Sequence, residues 1–381
     1  MTNKELLSQT INYLRFPLTI GVVLIHFNIA NNGISVHGVQ YGMNVADWYR
    51  YIVTFFSDVV ARLSVPIFFM ISGFLFFYSK DFNGNVYIKK LKTRVRTLLI
   101  PFILWNIIAL LNQMIRMLPF FSSLFPNLAQ TEFKFSLVRL FNTFFNNTSY
   151  NGLLVSPFDE IVTSCPVPIN VPMWYVRDLM FIVLLTPFIY WCIRKMSYWY
   201  LIGLFVFTSI FAIFFYSEGN YYLLLLDNVF FFSWGAWYSI NHLNLIEQMW
   251  KLRYAVFLYI PFAIMDLFTK DISINYYIHF AGIFSGIISC FVIVSYLLSH
   301  GKIKVNTTLA NSSFFVFALH TLIISDLAKI LLISLHLPDT TIVMLSLYII
   351  VPILTICICV MLYMLLRRYL PSLCGLLTGG R

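Results

Sequence analysis

The sequence predicts an all-α membrane protein that crosses the bilayer about ten times. Of its 381 residues, 60% are hydrophobic and only 10% are charged. The apolar residues also fall into runs long enough for an α-helix to span a bilayer. A soluble chain of this length could not cover so much apolar surface with polar residues. The 18% of aromatic residues, including 39 Phe, is typical of lipid-facing helices and interfacial belts.

The apolar runs place the predicted helices along the chain. They lie at about 12–29, 55–78, 97–117, 172–192, 199–216, 222–240, 254–270, 277–299, 309–334 and 342–366. The first run has no small-residue cleavage site, so we expect a retained membrane helix and not a signal peptide. With no internal repeat in sight, we expect one membrane domain over 1–381. Its long extracytoplasmic loop, 118–171, should contain ordered structure of its own.

Basic residues predict the orientation. With the N-terminus inside, the cytoplasmic segments hold most of the 25 Lys and Arg residues, so we expect both termini in the cytoplasm. The most basic segment follows the second helix and contains Lys80, Lys89, Lys90, Lys92, Arg94 and Arg96. We attribute the net charge of +10 to this topology and to anionic lipid, and we expect no nucleic-acid partner.

The six cysteines argue against disulfide and metal chemistry. They are scattered along the chain, and no pair has the spacing of metal ligands. We therefore expect no disulfide framework and no metal site.

An arginine and a histidine in the first run are the best pointer to function. Arg15 and His26 are eleven residues apart, which returns a helix to within about 20° of the same face, roughly 16 Å further along. Ionisable groups inside a bilayer usually face a protein interior or a water-filled cavity. Neutral histidine can act as a general base near pH 7. The alternatives are a histidine that only bonds a neighbouring helix and an arginine that only extends to the membrane edge.

Polar residues also recur in the second run. Asp58 and Arg62 have the i,i+4 spacing of a helical ion pair, and a structural pair is the favoured interpretation. Pro66 should bend this helix, and Ser72-Gly73 should allow a neighbouring helix to come close. The basic segment that follows either anchors the chain to anionic lipid or binds a phosphate-bearing ligand, and charge alone favours the anchor.

Three further side chains are candidates for a polar cavity. Trp174 either belongs to the interfacial belt or stacks on a sugar ring. Arg177 either holds a polar acceptor or pairs with a nearby acid. His320 lies inside a predicted helix, where a core histidine with satisfied hydrogen bonds is the favoured interpretation. The acids within reach of Arg177 are Asp159, Glu160 and Asp178.

Together these segments resemble the acyltransferase-3 family of integral membrane acyltransferases. The motifs appear in family order between residues 13 and 321. The version with Arg62 and Val65-Pro66 is similar to members that acetylate surface polysaccharides or their lipid-linked precursors, and the chain resembles the stand-alone form. The motifs are Arg15-x10-His26, Val65-Pro66 to Ser72-Gly73-Phe74, Arg94-Val-Arg96 before Leu99-Ile-Pro101-Phe102, Trp174-Tyr-Val-Arg177, and Ser313-Phe-Phe to Leu-His320.

The resemblance implies acyl transfer from a cytoplasmic acyl-CoA, with acetyl-CoA favoured, to a hydroxyl of a glycan or lipid-linked sugar in a bacterial cytoplasmic membrane. It implies His26 as general base or acyl relay and Arg15 as the group that orients the donor or stabilises developing charge. The donor phosphates would be bound by Lys89, Lys90, Lys92, Arg94 and Arg96. The cavity and acceptor site would be shaped by Asp58, Arg62, Ser72, Trp174, Arg177 and His320.

Three other functions fit parts of the sequence. A transporter or flippase of a polar or lipid-linked substrate would also need many helices and buried charges, but it needs no acyl-CoA. A sensor or structural protein with a decayed site is a second alternative, against which the intact Arg15 and His26 argue. An unrelated membrane acyltransferase would move the essential histidine elsewhere, to His279 or His320.

Overall fold

The chain is almost entirely helical, as its composition predicts. The structure is a computed structural model that describes residues 2–29, 33–36, 39–43, 45–78, 81–118, 132–147, 152–155, 166–215, 221–270 and 272–380. Within these ranges the β structure consists of two short antiparallel pairs. These are Ile34–Val36 with Val39–Tyr41 and Glu132–Phe133 with Leu154–Val155.

The α-helices of the described residues are numbered in chain order. They are α1 Asn3–His26, α2 Asp47–Thr54, α3 Ser64–Phe77, α4 Gly84–Arg94, α5 Ile100–Arg116, α6 Leu137–Phe145, α7 Trp174–Leu184, α8 Thr186–Met196, α9 Tyr198–Phe215, α10 Tyr221–Ile240, α11 Leu245–Lys251, α12 Val256–Phe268, α13 Asn275–Ser299, α14 Thr307–Leu319, α15 Ile324–Ser334, α16 Thr341–Tyr369 and α17 Pro371–Thr378. Wider and tighter helical turns join some neighbours: π-helices at Phe55–Val60 and Val95–Leu99, and 3₁₀ turns at Ala61–Leu63, Val171–Met173, Arg253–Ala255 and His320–Leu322.

Several helical runs are long and apolar enough to cross a membrane. Five qualify alone: Asp47–Phe77, Gly84–Arg116, Tyr222–Ile240, Asn275–Ser299 and Thr341–Tyr369. Two bent helix pairs raise the number to seven if each pair is one span. The other predicted runs correspond to α1, α9 and α12, which have 24, 18 and 13 residues. The protein is thus an all-α, multi-pass membrane protein, while the number ten and the side of each terminus stay predictions.

Two predicted spans are bent where a continuous helix was expected. The run at 172–192 breaks by 59° between Leu184 and Thr186, and the run at 309–334 breaks by 53° between Leu322 and Ile324. The first break has a local cause, since Pro187 has no N–H to donate to the carbonyl oxygen of Val183, which accepts instead from the hydroxyl of Thr186 at 2.7 Å. The second follows the 3₁₀ turn that His320 begins.

The helices divide into two compact units, which we describe separately. Unit 1 comprises Met1–Ile25, Thr54–Lys92 and Phe181–Ser313, and unit 2 comprises His26–Val53, Thr93–Met180 and Phe314–Arg381. In unit 1, α3 packs against α10, and α12 packs against α13. In unit 2, α17 packs against α5 and α16. The single domain over 1–381 stays a prediction.

Glycines allow α3 and α10 of unit 1 to touch backbone to backbone. A Cβ added at Gly73 would overlap the carbonyl oxygen of Phe232, and one at Gly235 would overlap that of Met70. Small residues permit this kind of close approach between membrane helices. The close packing predicted from Ser72-Gly73 is therefore confirmed.

Candidate active site

Two histidines that are distant in sequence lie side by side in unit 2. His26 is the last residue of α1, and His320 begins the 3₁₀ turn after α14. Their ring centroids are 5.2 Å apart, with the ring planes tilted by 47°. His320 is fully buried, and its Nδ1 lies 3.1 Å from the carbonyl oxygen of Val316. A carbonyl can only accept, so Nδ1 carries the proton and Nε2 of the neutral ring carries a lone pair.

The second ring nitrogen of His320 is the unusual atom of this pair. Nε2 is buried, and within the described part of the chain it has no hydrogen-bond partner. Leaving a buried polar atom unsatisfied costs about 1–3 kcal/mol, so such atoms in native proteins require an explanation, often a functional one. The sequence favoured a core histidine with both ring nitrogens hydrogen-bonded. Among the described residues, only Nδ1 of His320 has a hydrogen-bond partner.

A buried asparagine holds the turn that carries His320. The Nδ2 of Asn170 donates to the carbonyl oxygen of Ala318 at 3.0 Å, and Thr321 donates its hydroxyl to the Oδ1 of Asn170 at 3.3 Å. The Asn170 N–H donates to the Oδ1 of Asn106 at 3.1 Å. Both asparagines are fully buried. Asn170 thus anchors the backbone just before His320 and the side chain just after it.

An ion pair fixes the far end of the same turn. Arg116, the last residue of α5, donates to the carbonyl oxygen of Leu322 at 2.9 Å and to the carboxylate of Asp326 at 2.5 Å. Sequence reasoning missed Asn106, Asn170 and Arg116 as supports of this turn. The available signal was a polar side chain inside or beside an apolar run, which is costly unless it is hydrogen-bonded.

Arg177 forms a buried ion pair in unit 2. Its side chain is only 2% exposed and lies 2.8 Å from the Oδ1 of the fully buried Asp178. Its Nη1 donates to the carbonyl oxygens of Phe145 at 2.6 Å and Pro166 at 2.9 Å. The predicted pairing with Asp178 is confirmed, while Asp159 and Glu160 lie outside the described residues. These bonds tie the start of α7 to the end of α6.

The remaining residues of the predicted cavity are spread over both units. Trp174 begins α7 in unit 2 and is half-buried, and Ser72 is half-buried on α3 of unit 1. Asp58 and Arg62 form the predicted i,i+4 ion pair in unit 1, at 3.1 Å. This pair therefore belongs to a different part of the chain from the two histidines.

Helix α1 carries both Arg15 and His26, as the sequence predicts. It is continuous from Asn3 to His26 despite Pro17, and Arg15 is half-buried. The division between the units falls after Ile25. The helix buries one stripe of apolar residues, which His26 extends by one turn. The stripe comprises Leu7, Ile11, Leu14, Leu18 and Val22.

The predicted donor-binding cations lie along one helical run, Gly84–Arg116. Lys89, Lys92 and Arg96 are exposed, and Arg94 is half-buried. The ammonium of Lys90 donates to the carbonyl oxygen of Phe76 and lies 4.9 Å from its ring centroid. Lys90 thus contacts the C-terminal end of α3, where a cation is favoured by the helix dipole. Lys80 lies outside the described residues.

A cavity of about 300 Å³ opens in unit 1. It combines aromatic side chains, such as Phe82 and Tyr190, with Arg194 and His242. This set differs from the five cations predicted to bind the donor. Across the described residues, no group of three His, Cys, Asp or Glu side chains could hold a metal ion.

Comparisons with known proteins point to one family. A search against solved structures gave no match. The succinoglycan biosynthesis protein ExoH of Rhizobium meliloti (strain 1021) is 29% identical over 182 residues, which cover 47% of this chain and 41% of the relative. The chain thus matches less than half the length of that relative. The acyltransferase domain family matches residues 9–364, nearly the whole chain, and this protein therefore belongs to the acyltransferase-3 family.

Proposed function

We propose that this protein is an O-acyltransferase of a bacterial cytoplasmic membrane. It moves an acyl group, acetyl in the favoured case, from cytoplasmic acyl-CoA to a hydroxyl of a cell-surface glycan or its lipid-linked precursor. Family membership supports the acyl transfer. The similarity to a succinoglycan biosynthesis protein supports a polysaccharide acceptor. The single observation that carries the choice of site is the contact between His26 and the buried His320.

In this proposal His26 is the general base. It takes the proton of the acceptor hydroxyl while the hydroxyl oxygen attacks the thioester carbonyl. The new C–O ester bond forms, the C–S bond breaks, and the CoA sulfur leaves with the proton that His26 returns. The ring of His26 must therefore hold a positive charge for part of the cycle. The lone pair on Nε2 of His320 is suited to accept a hydrogen bond from that charged ring.

Arg15 interacts with the acyl donor in the same mechanism. Its cation would orient the acyl-CoA or stabilise the negative charge that develops on the thioester oxygen. A covalent version, in which His26 itself carries the acyl group between donor and acceptor, uses the same residues. The two versions differ in whether an acyl-histidine accumulates when no acceptor is present.

Two further surfaces complete the proposed site. The exposed cations Lys89, Lys92 and Arg96, with Lys90 and Arg94, would bind the phosphates of CoA, because clustered cations bind phosphate through charge-assisted hydrogen bonds. The acceptor would contact residues near the extracytoplasmic side of the membrane, which we expect to include Arg62 and Trp174.

The experiment is acetyl-CoA binding and hydrolysis by the purified protein, with the wild type beside His26→Ala. We expect specific binding in both, and slow thioester cleavage that falls about 10²–10⁴-fold in the variant, as for loss of a general base. His300→Ala is the matched control, because His300 is exposed and plays no part in the proposed site. Full cleavage by a folded His26→Ala protein would contradict the proposal.

The same experiment separates the proposal from a transporter or flippase. Buried charges such as the Arg177–Asp178 pair also occur in transporters. A transporter, however, has no use for acyl-CoA. Failure of a folded wild-type sample to bind acetyl-CoA or longer acyl-CoAs would favour that alternative.

A further inference from the structure

A histidine of unit 1, His279, is held by a carboxylate. The Nδ1 of His279 lies 2.7 Å from the Oδ2 of Asp266, whose side chain is only 3% exposed. Asp266 also accepts from the Nζ of Lys270 at 2.8 Å and from the Nδ2 of Asn275 at 2.7 Å. Lys270 donates to the carbonyl oxygen of Asp58 at 3.1 Å. Helices α12 and α13 and the segment before α3 therefore meet in one polar cluster.

These contacts determine which nitrogen of His279 carries the proton. The carboxylate of Asp266 is paired with an ammonium, so it is ionised and can only accept. Nδ1 must then be the donor, and in the neutral form of the ring Nε2 carries a lone pair. A carboxylate that fixes the tautomer of a histidine in this way also fixes the orientation of the ring. The side chain of His279 remains 26% exposed.

Arg62 belongs to the same polar cluster. It is joined to the histidine through Asp58, whose backbone carbonyl accepts from the Lys270 that also donates to Asp266. One of its terminal nitrogens pairs with Asp58 at 3.1 Å, and the side chain as a whole is 48% exposed. An exposed charge within a membrane protein faces water or a polar ligand in preference to lipid. The cluster therefore presents a hydrogen-bond acceptor, Nε2 of His279, together with a partly exposed guanidinium, that of Arg62.

We propose that His279 and Arg62 form a hydroxyl-binding subsite for a saccharide, with Asp266 as the residue that positions the His279 ring. A sugar hydroxyl is both donor and acceptor, so one hydroxyl of a ring donates to Nε2 and a neighbouring hydroxyl accepts from Arg62. This proposal rests on the proposed function in one respect, since it takes the saccharide to be the acyl acceptor. It assigns His279 a role in binding, separate from the chemistry at His26.

The test measures how fast diethyl pyrocarbonate modifies His279 in the purified full chain, by mass spectrometry of its peptides. The probe is an oligosaccharide fragment of succinoglycan, compared with a mixture of neutral glucan and galactan oligosaccharides, with no acyl-CoA present. We expect ready modification of His279 that slows several-fold with at least one saccharide. The exposed His300 in the same sample is the internal control, and its rate should not change.

Two variants test the same subsite through activity. His279→Gln and Asp266→Asn should raise the KM for the saccharide about three- to tenfold, as for loss of one hydrogen bond, and leave kcat and acetyl-CoA hydrolysis unchanged. His300→Gln is the matched control. Equal modification of His279 with and without every saccharide would overturn the subsite, and so would a fall in kcat with KM unchanged. Absence of acetyl-CoA hydrolysis in the wild type would overturn only the proposed function, because protection is measured without a donor.

Discussion

At the scale of single residues, the proposed site contains two imidazole rings, those of His26 and His320. The Nδ1 of His320 is bonded to the backbone of the preceding helix, α14, whereas its Nε2 is buried without a partner among the described residues. The centroid of the His26 ring is 5.2 Å away. We interpret His320 as a positioning residue that acts on acyl transfer through His26.

Replacing His320 should separate positioning from folding. In His320→Ala we expect kcat to fall about 10²-fold, the lower range for an acid–base group, with the KM for acetyl-CoA unchanged. His320→Gln retains an acceptor oxygen, so it should recover a substantial part of the lost rate. Steady-state kinetics gives both numbers, and thermal unfolding in detergent shows whether each variant folds. If Gln is no better than Ala in two equally stable variants, His320 does not act as an acceptor for His26.

At the scale of helices, the apolar runs of the sequence predict the membrane helices but not the positions at which these helices bend. The runs around α3, α5, α10, α13 and α16 follow from apolar length alone. The bends at Leu185 and Ile323 do not, because a break in a membrane helix depends on the groups that satisfy the freed backbone atoms. Asn170 is such a group beside His320.

The contact between α3 and α10 gives a prediction about stability. Gly73→Ala should destabilise the protein by about 1–3 kcal/mol, because the added methyl would overlap backbone and force the helices apart. The matched control is Gly203→Ala in α9, where an added Cβ meets nothing within 4 Å. That change should stabilise by about 0.5–1 kcal/mol, since Ala is the better helix former. Thermal unfolding of the purified variants provides the comparison, and equal shifts for both glycines would contradict the packing.

The basic helical run gives a prediction about the donor. A triple change of Lys89, Lys92 and Arg96 to Gln should raise the KM for acetyl-CoA by at least tenfold, since each charge-assisted hydrogen bond contributes about 1.5–3 kcal/mol. Acetyl-pantetheine lacks the nucleotide phosphates, so its KM should not change.

Arg194→Gln, in the unit 1 cavity, is the comparison for this experiment. If Arg194→Gln raises the KM for acetyl-CoA and the triple change does not, the donor phosphates are bound at the cavity. That outcome would leave the basic run as an anchor to anionic lipid, the interpretation that charge alone favours.

At the scale of the whole molecule, the sequence predicts the class and the family but not which side chains meet. The spacing of Arg15 and His26 on one helix follows from the sequence, because both lie on the same element. The contacts of His26 with His320 and of His279 with Asp266 each join different elements, so no local pattern indicates them. Within the described residues, tertiary packing alone reveals them.

The orientation of the chain is a whole-molecule prediction. The excess of Lys and Arg in alternate segments predicts that both termini lie in the cytoplasm. A green fluorescent protein fused after the last residue should therefore fluoresce, and alkaline phosphatase inserted within 118–171 should be active. An active phosphatase at the C-terminus would contradict this topology and the placement of the basic run on the donor side.

The most direct test of the account is acetyl transfer across oriented proteoliposomes. Labelled acetyl-CoA is supplied on the cytoplasmic side and a succinoglycan oligosaccharide on the other, and the label on the saccharide is counted. We predict transfer by the wild type and by His300→Ala, and a loss of about 10²–10⁴-fold in His26→Ala. Transfer at the wild-type rate by a folded His26→Ala protein would contradict the central claim that His26 carries the chemistry.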